Sequence, residues 1–186
     1  MVEIRLKKYE KIMKNNIILT GMMGAGKTLI GKNLKEHLKN VNFIDIDEYI
    51  ENSQNLKISQ IFEKFGESYF RQLETKAIKE VCKKNNLIIS LGGGAFENSE
   101  NREILNNSGY TIYLKASAQT LFDRIKNEKH RPLLKKGFNE NSILEILNKR
   151  EKNYEKALIT IDTTNKTPYN IIEEILKRIA EYDRHN

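Results

Sequence analysis

Eight residues near the start of the chain have the types and spacing of a phosphate-binding loop. Residues 21–28 read Gly-Met-Met-Gly-Ala-Gly-Lys-Thr, which matches the pattern G-x-x-x-x-G-K-[ST]. Glycines let the backbone curl so that several N–H groups face one anion, and a following helix presents its positive end to the same anion. The residues expected to bind ATP with its Mg²⁺ are Gly24, Ala25, Gly26, Lys27 and Thr28. A glycine-rich turn without a ligand is the alternative interpretation.

Two carboxylates, Asp45 and Asp47, follow the second apolar run of the chain. In an extended chain, residues two apart point to the same side, so both carboxylates would face one site. One could hold Mg²⁺ through water, and the other could accept a proton from a substrate hydroxyl. Helix capping by Asp47, which opens a predicted helix, is an equally good interpretation of this pair alone.

Two further groups of residues could bind an anionic or hydroxylated substrate. Gly92-Gly93-Gly94 places bare backbone at the end of a third apolar run, where its N–H groups could donate hydrogen bonds. Arg71 and Glu74 lie on neighbouring turns of a predicted helix, so Glu74 could hold the planar arginine fork ready for a carboxylate. Taken singly, a tight turn and a surface ion pair are the better interpretations of these two groups.

The net charge of +7 is concentrated in parts of the chain. The segment 124–136 carries an excess of basic side chains that would suit a polyanion such as ATP. We expect Arg131, in this segment, to act from a closing lid, where it would neutralise charge on the transferred phosphoryl group and exclude water. A solvated loop is the alternative. The histidines are scattered along the sequence, so they indicate no zinc site.

Short apolar runs alternate with amphipathic stretches, which predicts an α/β fold, a three-layer sandwich with a parallel sheet between helices. The predicted strands are 16–20, 42–46, 87–91, 110–114 and 158–162. The predicted helices are 28–39, 46–52, 58–64, 68–84, 99–107, 117–127, 140–154 and 168–182. Ligands bind at the carboxyl ends of the strands in such sheets. We therefore expect the phosphate loop, the aspartate pair and the glycine triplet to meet at one edge.

Length and composition limit the organisation of the chain. A chain of 186 residues, of which 39% are hydrophobic and 31% charged, is typical of a single soluble domain. The one cysteine, Cys82, excludes an internal disulfide and favours a reducing compartment, so we expect a cytoplasmic protein. No apolar stretch is long enough to span a membrane.

Together these motifs resemble those of the shikimate kinase family over about residues 13–182. The ordered set is the loop 21–28, Asp45-x-Asp47, Phe70-Arg71-x-x-Glu74, Gly92-Gly93-Gly94, Arg131-Pro132-Leu133-Leu134, and Arg150 with Tyr154. The resemblance implies a P-loop kinase fold with a five-stranded parallel sheet and a mobile lid. The implied parts are an extension of unknown role at 1–12, one kinase domain at 13–186, a substrate-binding region at about 46–75 and a lid at about 126–139.

The resemblance also implies the reaction, which is transfer of the ATP γ-phosphoryl group to the 3-hydroxyl of shikimate in aromatic amino-acid biosynthesis. Asp47 would contact the accepting hydroxyl and be the candidate base. Thr28 and Asp45 would lie near Mg²⁺, and Lys27 and Arg131 would stabilise the phosphoryl group. The implied substrate contacts are Asp47, Phe70, Arg71, Gly92, Gly93, Gly94 and Arg150.

Two further points follow from the resemblance. Arg124 would lie against the adenine of ATP. The arginine–x–proline–x–tyrosine pattern of the family is read here as Arg150-Glu151-Lys152-Asn153-Tyr154, without the proline.

Two other functions stay open at this point. Another small-metabolite P-loop kinase, such as a gluconate kinase, would share the ATP half of the site and differ in the acceptor half. A non-catalytic nucleotide- or nucleic-acid-binding module would fit the positive net charge, but no platform of interleaved aromatic and basic residues is present. We expect a monomer that binds shikimate and neither nucleic acid nor membrane.

Overall fold

A five-stranded parallel sheet forms the centre of the computed structural model, which describes residues 15–126 and 139–185. The strands are β1 (Asn16–Thr20), β2 (Asn42–Asp45), β3 (Leu87–Ser90), β4 (Gly109–Lys115) and β5 (Ile159–Asp162). Their order across the sheet is β2-β3-β1-β4-β5, and every neighbouring pair is parallel. The predicted α/β fold with a five-stranded parallel sheet is confirmed.

Seven helices of the described residues connect and cover the strands. They are α1 (Lys27–His37), α2 (Ile46–Gln54), α3 (Ile58–Val81), α4 (Ser99–Ser108), α5 (Ala118–Ile125), α6 (Glu140–Tyr154) and α7 (Pro168–His185). A short 3₁₀ turn, Ala95–Glu97, follows the glycine triplet. The predicted strand 42–46 was one residue too long, because Ile46 is already the first residue of α2.

The central strands are buried because helices cover both faces of the sheet. Every residue of β1 and of β3 is buried, including the polar Asn16 and Ser90. Strands of this kind carry continuous apolar runs rather than alternating ones, and this is the pattern that the sequence shows at Ile17-Ile18-Leu19. The core therefore holds the carboxyl ends of β1 and β3 rigidly side by side.

The helix α3 contains a kink at Gly66, where the sequence predicted two separate helices. Gly66 has φ 80° and ψ 172°, a conformation that is essentially restricted to glycine. No atom lies within 4 Å of the position that a Cβ would take there, so the backbone conformation, not packing, requires glycine. Helix α2 packs against α3, and α4 packs against α3 as well. The kink thus sets the angle between the two arms of α3.

A close approach between α1 and β2 depends on Gly31. A Cβ at this position would overlap the ring of Phe43, so a side chain larger than hydrogen does not fit between the helix and the strand. Thr28 lies one turn before Gly31 on the same helix. The close packing therefore brings Thr28 towards the carboxyl end of β2.

Two predicted parts lie outside the described residues. They are the N-terminal extension at 1–12 and, apart from its end residues, the lid at 126–139. Arg131 lies in the latter segment, so its predicted role stays a prediction. Among the described residues, no helix combines the length and apolar character that crossing a membrane requires.

Candidate active site

Three neighbouring strands deliver the chemically important residues to one edge of the sheet. The phosphate loop follows β1, Asp45 ends β2, and the glycine triplet begins two residues after β3. A cleft of about 490 Å³ at this edge is lined by Lys27, Thr28, Asp45, Asp47 and Gly93, among others. The loop, the aspartate pair and the triplet therefore meet as the strand pattern predicted.

The phosphate loop has the backbone geometry that its glycines were expected to provide. Gly24 and Gly26 have φ values of 82° and 90°, in the left-handed region that favours glycine. Gly26 is the N-terminal cap of α1 without any side-chain cap, which leaves the first N–H groups of the helix open to a ligand. The Lys27 ammonium donates to the carbonyls of Gly21 at 2.8 Å and Met22 at 3.1 Å, so it lies across the mouth of the loop.

Thr28 and Asp45 form a cluster of hard oxygen donors beside the loop. The Thr28 hydroxyl donates to Asp45 Oδ2 at 2.9 Å and lies 3.4 Å from the Ser90 hydroxyl. Hydroxyl and carboxylate oxygens are the ligands that Mg²⁺ prefers, together with water and phosphate oxygens. The residues present therefore fit a magnesium ion bound jointly with a nucleotide. No group of three or more His, Cys, Asp or Glu side chains in the described part of the chain could hold a metal by itself.

The roles of the two aspartates differ from the sequence prediction in one respect. Asp45, and not Asp47, caps helix α2, since its Oδ1 accepts from the backbone N–H of Asp47 at 3.1 Å. The helix begins at Ile46, so the chain is not extended through Asp47 and the argument from strand alternation was wrong. Both side chains still line the same cleft, because the first turn of α2 starts at the edge of the sheet.

The Asp47 carboxyl group has a raised pKa and one oxygen atom without a hydrogen-bond partner. Its Oδ1 atom is buried without a hydrogen-bond partner. Burial, and secondly the neighbouring Asp45 carboxylate, raise the pKa of Asp47 to about 6, although Lys27 and Arg71 pull it down. A carboxylate with a free oxygen and a pKa near neutrality is suited to accept a proton from a bound hydroxyl.

Arg71 is held by carboxylates on two sides. Its Nη1 donates to Glu74 Oε2 at 2.8 Å, while Nε and Nη2 donate to Glu67 Oε1 at 3.3 and 3.0 Å. The Glu74 side chain is only 1% exposed, so the interpretation of this pair as a surface ion pair was wrong. Burial raises the pKa of Glu74 to about 7, against the opposing pull of Arg71. The Arg71 guanidinium also lies 5.2 Å from the centroid of the buried Phe70 ring.

The glycine triplet allows these side chains to come together. A Cβ on Gly92 would lie 2.6 Å from Asp47 Oδ1 and 3.1 Å from Glu74 Oε1. A Cβ on Gly94 would lie 2.6 Å from both Nη atoms of Arg71. Any side chain at either position would push the carboxylates or the guanidinium away, which is a stronger reason for glycine here than a tight turn.

The carbonyl of Gly93 anchors the last helix of the site. Arg150 Nη1 donates to it at 3.2 Å, and the Tyr154 hydroxyl donates to the same oxygen. Burial raises the pKa of Tyr154 to about 12, so the hydroxyl stays protonated and remains a donor. Arg150 is thus oriented without the proline that usually lies between these two residues in the pattern discussed above.

A second and larger cleft opens next to the first. It measures about 640 Å³, and its lining includes Glu67, Arg71, Glu74, Gly94 and Arg150. The first cleft is bordered by Gly92 and Gly93 and the second by Gly94, so the triplet separates them. One cleft therefore presents a phosphate loop and the other presents two guanidinium groups.

Arg124 lies beside the phosphate loop and joins it to a distant segment. Its guanidinium donates to the Gly24 carbonyl at 3.3 Å and to the Thr163 hydroxyl and carbonyl at 3.2 and 2.9 Å. The sequence carried no signal for Thr163, which follows β5. Glu67 was also missed, because it fell in the gap between two predicted helices; in the structure it lies four residues before Arg71 on the same helix, a spacing that brings side chains together.

Comparison with known proteins identifies the family. The family model described as shikimate kinase matches residues 23–180. The chain belongs to the shikimate kinase family. A shikimate kinase of Persephonella marina is 45% identical, and the alignment covers 88% of this chain and 98% of the relative. The motif resemblance to the shikimate kinase family is therefore confirmed.

Solved structures of the shikimate kinase family agree with this fold. Shikimate kinase from Acinetobacter baumannii in complex with shikimate has a TM-score of 0.86 and 35% identity, covering 95% of this chain and 98% of that one. Shikimate kinase from Aquifex aeolicus has a TM-score of 0.78 and 32% identity, covering 92% and 99%. The P-loop kinase fold expected from the shikimate kinase motifs is confirmed.

Proposed function

We propose that this protein is a shikimate kinase, which transfers the γ-phosphoryl group of ATP to the 3-hydroxyl of shikimate. The observation that carries the proposal is the position of Asp47. Asp47 lines the phosphate-loop cleft. Its Oδ1 atom, which has no hydrogen-bond partner, lies against Gly92. Glu74, which lines the cleft that contains Arg71, lies against the same glycine. A hydroxyl held by the second cleft would therefore meet a phosphoryl group held by the first at the Asp47 carboxylate.

The nucleotide half of the reaction rests on the loop and α1. The backbone of Gly24, Ala25 and Gly26 would hold the phosphates, and Lys27 would move from the loop carbonyls to the β- and γ-phosphates. Arg124 would border the adenine, since it already packs against the loop at Gly24. Arg131 is proposed to act on the γ-phosphoryl group from the segment outside the described residues.

The proposed magnesium site consists of Thr28 and Asp45. Their oxygens lie 2.9 Å apart, and the phosphates of a bound nucleotide would complete the ligand set. When bound, Mg²⁺ would supply charge neutralisation at the phosphate oxygens. Asp45 remains fixed in place by its capping contact with α2, so the carboxylate needs no rearrangement to serve this purpose.

The acceptor half of the reaction rests on α3, α6 and the glycine triplet. Arg71 and Arg150 would bind the shikimate carboxylate, and Phe70 with Gly92, Gly93 and Gly94 would border the ring. Asp47 would accept the proton of the 3-hydroxyl group. At the same time the hydroxyl oxygen would form a bond to the γ-phosphorus, and the bond from that phosphorus to the leaving ADP oxygen would break.

A substrate panel tests the proposal. ADP release is measured with shikimate, gluconate and nucleoside monophosphates as acceptors, each with ATP and Mg²⁺. We expect turnover with shikimate that exceeds the others by at least about a hundredfold, because shikimate alone among these acceptors combines a carboxylate with hydroxyls on a carbon ring. Faster turnover with gluconate would favour the rival kinase, and ATP binding without turnover of any acceptor would favour a non-catalytic module.

Two further expectations from the sequence stay predictions. They are the monomeric state and the cytoplasmic location. Size-exclusion chromatography with light scattering measures the first, and a dimer at micromolar concentration would contradict it.

A further inference from the structure

The two carboxylates that hold Arg71 are not equivalent. The Glu74 side chain is 1% exposed and the Glu67 side chain is 65% exposed. A buried carboxylate cannot leave a guanidinium without a large cost, because no water replaces the hydrogen bond and the ion pair that it loses. An exposed carboxylate can leave cheaply, because water replaces its partner. Glu74 is therefore a fixed partner of Arg71, and Glu67 is an exchangeable one.

Glu67 takes the edge of Arg71 that recognises carboxylates. A single oxygen of Glu67 accepts from both Nε and Nη2, which together form one side of the planar guanidinium fork. Bidentate recognition of a carboxylate by arginine uses two parallel N–H groups of this kind. Glu67 and Arg71 both line the 640 Å³ cleft with Arg150. When an acid enters this cleft, two of the Arg71 N–H groups that could bind its carboxylate are already bound to Glu67.

The backbone around Glu67 makes its release easy. The kink at Gly66 ends one helical arm of α3, so Glu67 stands in the first turn of the next arm. The N–H groups of a first helical turn lack partners within the helix, and negative charge near them is favourable. A Glu67 carboxylate that leaves Arg71 therefore keeps a favourable position in water at the start of this arm.

We propose that Glu67 occupies the carboxylate-binding edge of Arg71 before the substrate arrives, and that the carboxylate of the acid substrate displaces it. The inference rests on the proposed function, since it gives the order in which the acceptor half of that site is filled. Glu67 keeps the guanidinium in place while the cleft is empty, and it competes with the substrate for the same N–H groups. The need to displace Glu67 therefore lowers the affinity of the site for the acid.

The test compares two variants that remove one negative charge from the same helix. E67Q keeps the shape of the side chain but weakens the pairing with Arg71, whereas E63Q changes an exposed glutamate that makes no contact with Arg71. Shikimate binding is measured by calorimetry without nucleotide, and KM and kcat are measured with ATP. Thermal unfolding of both variants checks that the fold is intact.

We expect E67Q to bind shikimate about two- to fivefold more tightly than E63Q, with KM lowered to match and kcat unchanged, as for loss of an exposed competing ion pair. Equal affinities of the two variants would overturn the inference, since only general charge would then matter. Weaker binding by E67Q would also overturn it and show that Glu67 helps to position Arg71. If the wild-type protein does not phosphorylate shikimate, the proposed function fails instead, so the two failures are distinguishable.

Discussion

Asp47 combines two properties that oppose each other. Its carboxyl group is needed as a charge in the proposed reaction, yet burial and the neighbouring Asp45 favour its neutral form. The free Oδ1 atom has no donor to compensate for the lost hydration. The folded protein is therefore less stable with Asp47 charged than it would be with a neutral group of the same shape.

The variant D47N should lose turnover and gain stability. The pKa of Asp47 is about 6 in the folded protein and 3.8 for the unperturbed group, so the folded state binds the proton more tightly. The wild-type protein therefore loses stability relative to D47N as pH rises from about 4 to about 6, and the difference is complete above that range. We expect D47N to be more stable by about 1–3 kcal/mol at pH 7.5 and about equally stable at pH 3.5.

Urea unfolding of both proteins at several pH values measures this difference, and calorimetry should find ATP binding nearly unchanged. D123N is a suitable control, because Asp123 is exposed and its contact with Lys126 lowers its pKa, so this variant should gain no stability. Full activity of D47N would remove Asp47 from the mechanism. A stability difference that does not depend on pH would remove the charge argument.

Contacts between individual side chains could be predicted from their spacing in the sequence, but the burial of those side chains could not. The spacing of Arg71 and Glu74 predicted their contact, yet nothing near them in sequence shows that Glu74 is almost fully enclosed. Gly92, which follows a different strand, lies directly against the Glu74 carboxylate. In the same way, capping by Asp45 became visible only from the position at which α2 begins.

At the scale of elements, the kink at Gly66 divides helix α3 into two arms, of which the second contributes to the acceptor site. The arm before Gly66 ends in the exposed Phe65, and the arm after it carries Phe70 and Arg71. The sequence predicted two helices with a gap at 65–67, which located the interruption correctly. It could not show that the two arms continue with only one non-helical residue, because the φ of a glycine is not encoded by any neighbouring side chain.

The variant G66A should be destabilised and should bind the acid poorly. A φ of 80° with ψ of 172° is strained for alanine, although there is space for the methyl group. We expect a loss of about 1–3 kcal/mol in the free energy of unfolding. A change of φ and ψ that relieves the strain would turn one arm of α3 against the other, so KM for shikimate should rise while KM for ATP stays constant.

The matched control is S68A, which introduces alanine at an exposed helical position two residues later and should change stability by less than about 0.5 kcal/mol. Chemical unfolding and steady-state kinetics of both variants provide the comparison. If G66A were as stable and as active as S68A, the kink would have no part in fixing Arg71.

At the scale of the whole molecule, the carbonyl of Gly93 joins distant parts of the chain. Arg150 and Tyr154 reach it from 57 and 61 residues further along. The Tyr154 ring is buried and stacks on Tyr113 of β4 at a centroid distance of 5.2 Å. Helix α6 is therefore connected to the loop after β3 and to the sheet, and through them to the acceptor cleft.

The variant Y154F should lose both stability and affinity for the acid. Removing the hydroxyl takes one donor from the half-buried Gly93 carbonyl, which costs about 1–2 kcal/mol. Arg150 would then hold Gly93 alone, so its orientation should loosen and KM for shikimate should rise about three- to tenfold. Y110F is the control, because the Tyr110 hydroxyl donates to Asp183 at 2.6 Å, well away from the two clefts in sequence and in the sheet.

We expect Y110F to lose comparable stability with no change in KM. Thermal unfolding and initial rates at varied shikimate concentration distinguish the two variants. A KM that rises equally in both would show that general destabilisation, and not the contact with Gly93, controls binding of the acid.

The alternation of strands and helices was sufficient to predict the parallel sheet, but it carried no information on the order of the strands. The insertion of β3 between β2 and β1 is what places Ser90 beside Thr28 and the glycine triplet beside the phosphate loop. Contacts of this kind depend on long-range pairing, which local patterns in a single sequence do not specify.

The missing side chain at Gly31 has an effect beyond packing. It allows α1 to rest directly on the Phe43 ring, and this depth of seating brings the hydroxyl of Thr28 to within 2.9 Å of Asp45. The distance between Thr28 and Asp45, the two proposed metal ligands, thus depends on Gly31, a buried residue of α1 that does not line the site. Selectivity for a small, rigidly coordinated cation over a larger one would therefore depend on how closely Gly31 lets the helix approach Phe43.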